Sequence, residues 1–270
     1  MIIVVCRRQK EWGKMTKIAL SGACGRMGRV IAGLVAGRGD CEISAGIDCR
    51  CEKYAGFEMY CRIGDIAEKP DVVLDFSHPS SLGDILAFCK TCGVPVVIAT
   101  TGYSEEEVAG IKSAAAHIPV FFTGNMSLGI NLLSDLARRA ARVLSEKSGQ
   151  YDMEVIEKHH NRKVDAPSGT AFMLADALNE ERGNTLKYVY GRSGKHQPRT
   201  KNELGIHAIR GGTIVGEHEI IFAGHDEIIS LSHSALSREV FANGAVNAAL
   251  FMAGKENGLY SMTDLLNAVI

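Results

Sequence analysis

The sequence predicts an α/β protein: a doubly wound parallel sheet, followed by an α+β unit on an open mixed sheet. Three observations carry that expectation. Short apolar strands alternate with helical patterns through the first half of the chain. A glycine-rich turn joins the first strand to the first helix. Beyond residue 150 the strands lengthen and alternate in polarity, with glycine-containing links, as in a mixed or antiparallel sheet with one covered face. At 270 residues the chain exceeds one typical domain and can bury a substantial core, so two domains are expected.

Residues 1–14 read as an extension outside the fold, because Met15 directly precedes the first strand. Their apolar stretch is short, and Arg7 and Arg8 follow it, the wrong side for a signal peptide. No apolar run approaches the length of a transmembrane helix. With 30 basic and 31 acidic residues the net charge is −1, which gives no electrostatic case for nucleic acid or an anionic membrane. The expected location is cytoplasmic.

Lys17–Ser21 forms the first strand and runs into Gly22-Ala23-Cys24-Gly25-Arg26-Met27-Gly28. Val30, Ile31, Leu34 and Val35 then repeat at helical spacing. Strand, glycine turn and helix together are the context in which a dinucleotide-binding, Rossmann-like motif gains meaning. The glycines fall at 22, 25 and 28, and Cys24 stands where the usual pattern has its second glycine. Glu42–Ile47 is the next strand, and Asp48 ends it at the spacing expected of a ribose-binding acid.

Strands at Val72–Asp75, Val94–Ala99 and Pro119–Phe122 alternate with helical patterns at Ser80–Cys92, Ser104–Ala116 and Leu128–Leu144. Ligands of such sheets sit at the carboxyl ends of the strands. The turns Ala99-Thr100-Thr101-Gly102 and Thr123-Gly124-Asn125-Met126 are therefore candidates for the nicotinamide end of a cofactor. Asp75-Phe76-Ser77-His78-Pro79 ends another strand facing the same crevice. All eight cysteines lie in the first 92 residues. Cys89-x-x-Cys92 lacks a second pair at matching spacing and reads as the last turn of a helix before Gly93. The cysteines are expected to be free thiols in a reducing compartment, with no metal.

In the second half, strands are expected at Asp152–Ile156, Gly205–Arg210, Thr213–Ala223 and Glu227–Ser234, with a helix over Thr170–Glu180 packed on them. Asn184–Leu204 is polar and basic and reads as a mobile loop. The densest stretch is Glu157-Lys158-His159-His160-Asn161-Arg162-Lys163-Val164-Asp165-Ala166-Pro167-Ser168-Gly169-Thr170. Cations from a loop, followed by backbone N–H groups at a helix start, form a site for a small anion. Pro167 is placed to open the helix, with Ser168 or Thr170 as its cap. Gly169 leaves the backbone open to a ligand.

The run E-x-H-H-x-x-K-x-D-A-P-S-G-T resembles the signature loop of dihydrodipicolinate reductase, an enzyme family of lysine and diaminopimelate synthesis. Gly22–Gly28 resembles the family's nucleotide loop. Thr100-Thr101-Gly102, with Ala99 in place of the usual leading glycine, and the run Asn125, Ser127, Gly129, Asn131 resemble its cofactor-side loops. Ile214–His218 and Phe241–Ala245 resemble further family motifs, so the resemblance spans nearly all of Thr16–Ile270. It implies NAD(P)H-dependent reduction of 4-hydroxy-tetrahydrodipicolinate. His159 would be the acid–base residue, Lys163 the proton donor, and His160, Lys163, Gly169 and Thr170 the ligands of a substrate carboxylate. It also implies a cofactor domain at 15–129 and 239–270, a substrate and oligomerisation domain at 130–238, and a homotetramer. Asp48 favours NADH, while Arg26 and Arg50 could meet the phosphate of NADPH. Cys49 stands where a family basic residue sometimes sits, which tilts the choice towards NADH with NADPH tolerated. Two other classes share parts of this pattern. An amino-acid or semialdehyde dehydrogenase would have no reason to carry H-H-x-x-K before S-G-T, and a non-catalytic NAD(P) sensor would have no need of His159 and Lys163 together.

Overall fold

The computed structural model describes residues 15–147, 151–194 and 198–268; the extension at 1–14, with Cys6, and Lys195 lie outside them. The first half alternates β1 (Thr16–Ser21), α1 (Arg26–Ala36), β2 (Cys41–Ile47), β3 (Glu58–Tyr60), β4 (Val72–Asp75), α2 (Leu82–Cys92), β5 (Val96–Ile98), α3 (Glu105–Ala114) and β6 (Pro119–Phe122). The 20-residue helix α4 (Leu128–Lys147) leads into β7 (Asp152–His159), α5 (Gly169–Glu181), β8 (Lys187–Tyr190), β9 (Glu203–Arg210), β10 (Gly216–Ala223) and β11 (Ile228–Ala235). The chain closes with α6 (Glu239–Met252), β12 (Gly258–Tyr260) and α7 (Met262–Asn267).

Two sheets result. The first is wholly parallel, in the order β12-β6-β5-β4-β1-β2-β3. Its strands are nearly continuous apolar runs because both faces are covered. Strand alternation sorts the side chains: Ile18, Leu20, Val72 and Leu74 pack with α1 and α6, whereas Ala19 and Val73 pack with α2 and α3. The strand order reverses beside β1, so a crevice opens between the carboxyl ends of β1 and β4. The second sheet, β11-β10-β7-β9-β8, is mixed: β10 runs antiparallel to β7 and β11, while β7, β8 and β9 are mutually parallel. One face carries Met153, Val155, Leu204, Ile206, Ile220 and Phe222 against α4 and α5.

The expected fold class holds, and most boundaries fall within two or three residues. One reading is corrected. The stretch 184–204 contains β8, which pairs with β9 through Tyr188↔Leu204 and Val189↔Gly205. Lys187-Tyr188-Val189-Tyr190 is a good strand sequence, but the cations that follow it disguise the pattern. Arg199 there is anchored: Nε donates to Glu154 at 2.9 Å and Nη1 to Asp152 at 2.7 Å. The cysteine expectation holds for Cys24, Cys41, Cys49, Cys89 and Cys92, which are free, and Cys89 and Cys92 do end α2. It fails for Cys51 and Cys61, which form a disulfide. The pairing of β3 alongside β2 returns the chain so that their Cα atoms lie 5.2 Å apart, within disulfide reach.

The returning helix α6 packs closely against the first sheet. A Cβ at Gly244 would lie 1.7 Å from the carbonyl oxygen of Met126, in the turn between β6 and α4. Gly33, exposed in α1, has no neighbour within 4 Å of its Cβ position. Gly244→Ala is therefore expected to destabilise the protein by about 1–3 kcal/mol. Gly33→Ala should stabilise it by about 0.5–1 kcal/mol through the helix-propensity difference. Urea denaturation of both variants checks the pair.

Candidate active site

The glycine turn is built for close approach. Gly22 has φ +79°, and a Cβ there would lie 2.3 Å from the carbonyl oxygen of Phe76. A Cβ at Gly28 would lie 2.3 Å from the carbonyl oxygen of Gly22, so glycine also fixes how closely α1 approaches the turn. Gly25 is the N-cap of α1 and supplies no side chain to the first turn. The N–H groups of Arg26 and Met27 thus stand at a helix N-terminus of partial positive charge, which suits a pyrophosphate. Ala23 and Cys24 play another part. The Ala23 N–H donates to Ile47 and its carbonyl accepts from the Tyr54 hydroxyl; the Cys24 N–H donates to Asp48 Oδ2 at 3.0 Å. Both side chains are buried, so these two residues shape the turn.

Asp48 lies in the neighbouring cleft of about 420 Å³, with Gly22, Gly25, Arg50, Arg62 and Ser77 on its walls. Its Oδ1 accepts from the Arg50 backbone at 3.1 Å and from Arg50 Nε at 3.0 Å. Burial pushes the carboxyl up, but the Arg50 and Cys24 donors outweigh it and hold Asp48 below the usual carboxylate range. An ionised acceptor at the end of β2 fits a ribose.

A second cleft, about 330 Å³, opens on the other side of Phe76. Arg26, Met27, Ala99, Thr101 and Thr123–Met126 line it, together with Arg238 and Phe241. Thr100 is the exception. Its side chain is buried and donates to Asp75 Oδ2 at 2.7 Å, so it braces the turn from behind. The Asn125 turn is rigid: Asn125 Oδ1 accepts from the Ser127 N–H, and Asn131 Nδ2 donates to the carbonyls of Asn125 and Ser127.

The cationic loop begins where β7 ends. Residues of β7 alternate, so Glu157 and His159 share the face that carries Met153 and Val155. Glu157 is wholly buried. It accepts from Arg210 at both oxygens at 2.7 Å, from His159 Nδ1 at 2.6 Å and from the Ser168 N–H at 3.0 Å. Burial pushes Glu157 up, and Arg210 and His159 more than reverse it, so it stays a carboxylate. His218 stacks edge-on against His159, with ring centroids 5.2 Å apart, and its Nε2 pairs with Ser168 Oγ at 3.1 Å. Burial, and then the neighbouring His159, lower His218 to about 4, so it is neutral at physiological pH.

Ser168 is the N-cap of α5, its Oγ accepting from the Ala171 N–H at 3.1 Å. Pro167 lies one residue before the cap, after a cis peptide bond, and does not open the helix as the sequence suggested. The cap needs its own extended residue, and Ser168 takes that place because its N–H is held by Glu157. Gly169 and Thr170 are the first two helical residues, and a Cβ at Gly169 would meet nothing within 4 Å. Lys163 pairs with Asp165 at 2.8 Å, and His160 has a buried Nδ1 without a hydrogen-bond partner among the described residues. The two candidate regions touch: Asn125 Nδ2 donates to Thr170 Oγ1 at 2.9 Å. The second cleft is thus joined, through one hydrogen bond, to the start of α5.

Residues 16–126 match the family description "Dihydrodipicolinate reductase, N-terminus", and residues 129–266 match "Dihydrodipicolinate reductase, C-terminus". The chain belongs to the dihydrodipicolinate reductase family. A 4-hydroxy-tetrahydrodipicolinate reductase of Clostridium tetani is 47% identical over 94% of this chain and 98% of its own. One of Caldanaerobacter subterraneus is 47% identical over 93% and 98%. Among solved structures, a dipicolinate-bound dihydrodipicolinate reductase from Paenisporosarcina shares the fold, with a TM-score of 0.76 at 24% identity over 92% of this chain and 98% of that one. A myo-inositol dehydrogenase from Corynebacterium glutamicum shares it more distantly, with a TM-score of 0.54 at 17% identity over 95% and 94%. Fold and family together imply use of a nicotinamide dinucleotide. Among the described residues no helix is long and apolar enough to cross a membrane.

Sequence reasoning gave no role to Glu157, Arg210 or Arg62. The i, i+2 spacing of Glu157 and His159 on a strand was a signal for the first. Arg210 and Arg62 reach the site through sheet pairing and chain reversal, which leave no local mark. Ser168→Ala removes the α5 cap and the partner of His218 together, and should cost about 1–3 kcal/mol of stability. Ser80→Ala, which removes a hydroxyl bonded to the exposed His78, should change stability by less than about 0.5 kcal/mol. Thermal and urea unfolding of the two variants tests the contrast.

Proposed function

We propose that the chain catalyses NAD(P)H-dependent reduction of 4-hydroxy-tetrahydrodipicolinate to tetrahydrodipicolinate, with loss of water, in lysine and diaminopimelate biosynthesis. The observation that carries this reading is the contact between the two regions. The Asn125 turn bonds directly to Thr170, at the start of the helix whose cap is tied through Glu157 to His159. The names of the curated relatives point to the same reaction.

A nicotinamide cofactor, when bound, supplies hydride; the protein supplies orientation and charge. The Arg26 and Met27 N–H groups would hold the pyrophosphate, and Asp48 would accept from the ribose hydroxyls. NADH is the preferred cofactor, because an ionised Asp48 repels a 2′-phosphate, and Arg50 beside it lets NADPH be tolerated. One substrate carboxylate lies against the N–H groups of Gly169 and Thr170, with His160 and Lys163 adding charge-assisted hydrogen bonds. The dicarboxylate competes with Asp165 for Lys163, which then donates a proton to the substrate. His159 acts as the acid–base residue. Loss of water takes the hydroxyl with one proton while the ring gives up another from carbon, so that hydride and the Lys163 proton complete the reduction with one net proton consumed. On this reading 15–129 and 239–270 form the cofactor domain and 130–238 the substrate domain. The protein works in the cytoplasm as a homotetramer joined through the outer face of the second sheet, where Ile209 and Ile228 are exposed.

The deciding assay couples the protein to dihydrodipicolinate synthase and follows NADH. Oxidation only when the synthase product is supplied supports the reading; none under any condition overturns it. Lys163→Ala should fold normally and lose about 10²–10⁴-fold in turnover. A variant with near-normal kcat would remove Lys163 from the donor role.

Asp48→Ala is expected to weaken NADH more than NADPH, since it removes both the hydroxyl acceptor and the repulsion of the phosphate. Dissociation constants for both cofactors check it, and equal losses would contradict the assignment.

A further inference from the structure

We propose that Glu157 is a positioning residue for catalysis: its buried carboxylate fixes the tautomer and orientation of His159. The inference rests on the acid–base role given to His159 above, and deepens it. An ionised carboxylate only accepts hydrogen bonds. Glu157 is wholly buried, and four donors converge on it. Oε1 accepts from Arg210 Nη2 and the Ser168 N–H; Oε2 accepts from Arg210 Nη1 and His159 Nδ1. His159 Nδ1 therefore carries a hydrogen, and Nε2 is the nitrogen left for the site. Gly216 keeps that side open, because a Cβ there would lie 3.1 Å from Nε2.

Among the described residues Glu157 is the hydrogen-bond partner of His159 Nδ1, and the neighbouring groups are engaged elsewhere. His218 meets His159 edge-on, and its Nε2 is engaged by Ser168. Arg210 comes from β9, directly opposite His159 in the sheet register, and holds Glu157 bidentately. Arg210 Nη2 also donates to the Asp165 carbonyl at 2.6 Å. The same carboxylate thus orients the histidine, ties the cap of α5 and, through Arg210, holds back the loop that carries Lys163. A carboxylate behind a catalytic histidine sets which nitrogen is protonated and raises its basicity; partners of this kind contribute about 10–100-fold at metal sites and up to about 10⁴-fold in a protease triad.

Two measurements test the assignment. Two-bond ¹H–¹⁵N spectra of the ¹⁵N-histidine-labelled wild-type protein should show His159, assigned by comparison with His159→Gln, with its hydrogen on Nδ1. This reading needs no substrate and no folded Glu157 variant, so it stands or falls apart from the reaction assigned above. A wild-type His159 protonated on Nε2 alone would overturn the proposal. Glu157→Gln keeps size and polarity but offers a donor to Nδ1. It should lower kcat by about 10²–10³-fold, leave the KM for the synthase product within about threefold, and move the His159 hydrogen to Nε2. A folded Glu157→Gln protein with wild-type kcat, or with unchanged tautomer, would reduce Glu157 to an ion-pair partner of Arg210.

Discussion

One buried carboxylate organises the loop and helix start that follow β7. Glu157 has no solvent to screen it, and a buried charge stripped of partners costs several kcal/mol. Four donors from three elements meet that demand: Arg210 of β9, His159 of its own strand, and the backbone of Ser168 at the α5 cap. Each donor is thereby placed. The histidine turns one nitrogen inward, the cap starts the helix where Gly169 and Thr170 follow, and the arginine holds Asp165 near Lys163. Geometry that looks like a list of site residues is largely the solution to one electrostatic problem.

The cofactor side is organised differently, by backbone proximity. Gly22 and Gly28 let β1, α1 and the Phe76 turn approach more closely than any side chain would allow. Gly244 does the same for α6 against Met126. The turn that this contact supports carries Asn125, whose amide reaches Thr170. Helix α6 therefore supports the Asn125 turn from behind through Gly244 and lines the second cleft through Phe241.

The sequence made the parallel sheet legible because its strands are short apolar runs between amphipathic helices, a pattern local to each element. The glycine turn and Asp48 were readable for the same reason, and the structure places them on one cleft. Ala23, Cys24 and Thr100 were grouped with the ligand-facing residues, but the structure spends their polar groups on Ile47, Asp48 and Asp75. A motif shows which residues a turn needs, not which of their atoms stay free. Strand β8 was hidden by the cations around it, and the Cys51–Cys61 bridge by a chain reversal between β2 and β3. Arg210 lay 53 residues from Glu157, joined to it only by the pairing of β7 with β9. Long-range pairing of that kind leaves no periodicity to read.

The central claim is that the start of α5, with His159, His160 and Lys163, holds a dicarboxylate against the nicotinamide end of the cleft. A crystal structure of the ternary complex with NADH and pyridine-2,6-dicarboxylate tests it most directly. One carboxylate is expected on the backbone of Gly169 and Thr170, within reach of His160 and Lys163, and the nicotinamide ring beside Thr101 and the Asn125 turn. A dicarboxylate bound elsewhere, with the helix start unchanged, would contradict it.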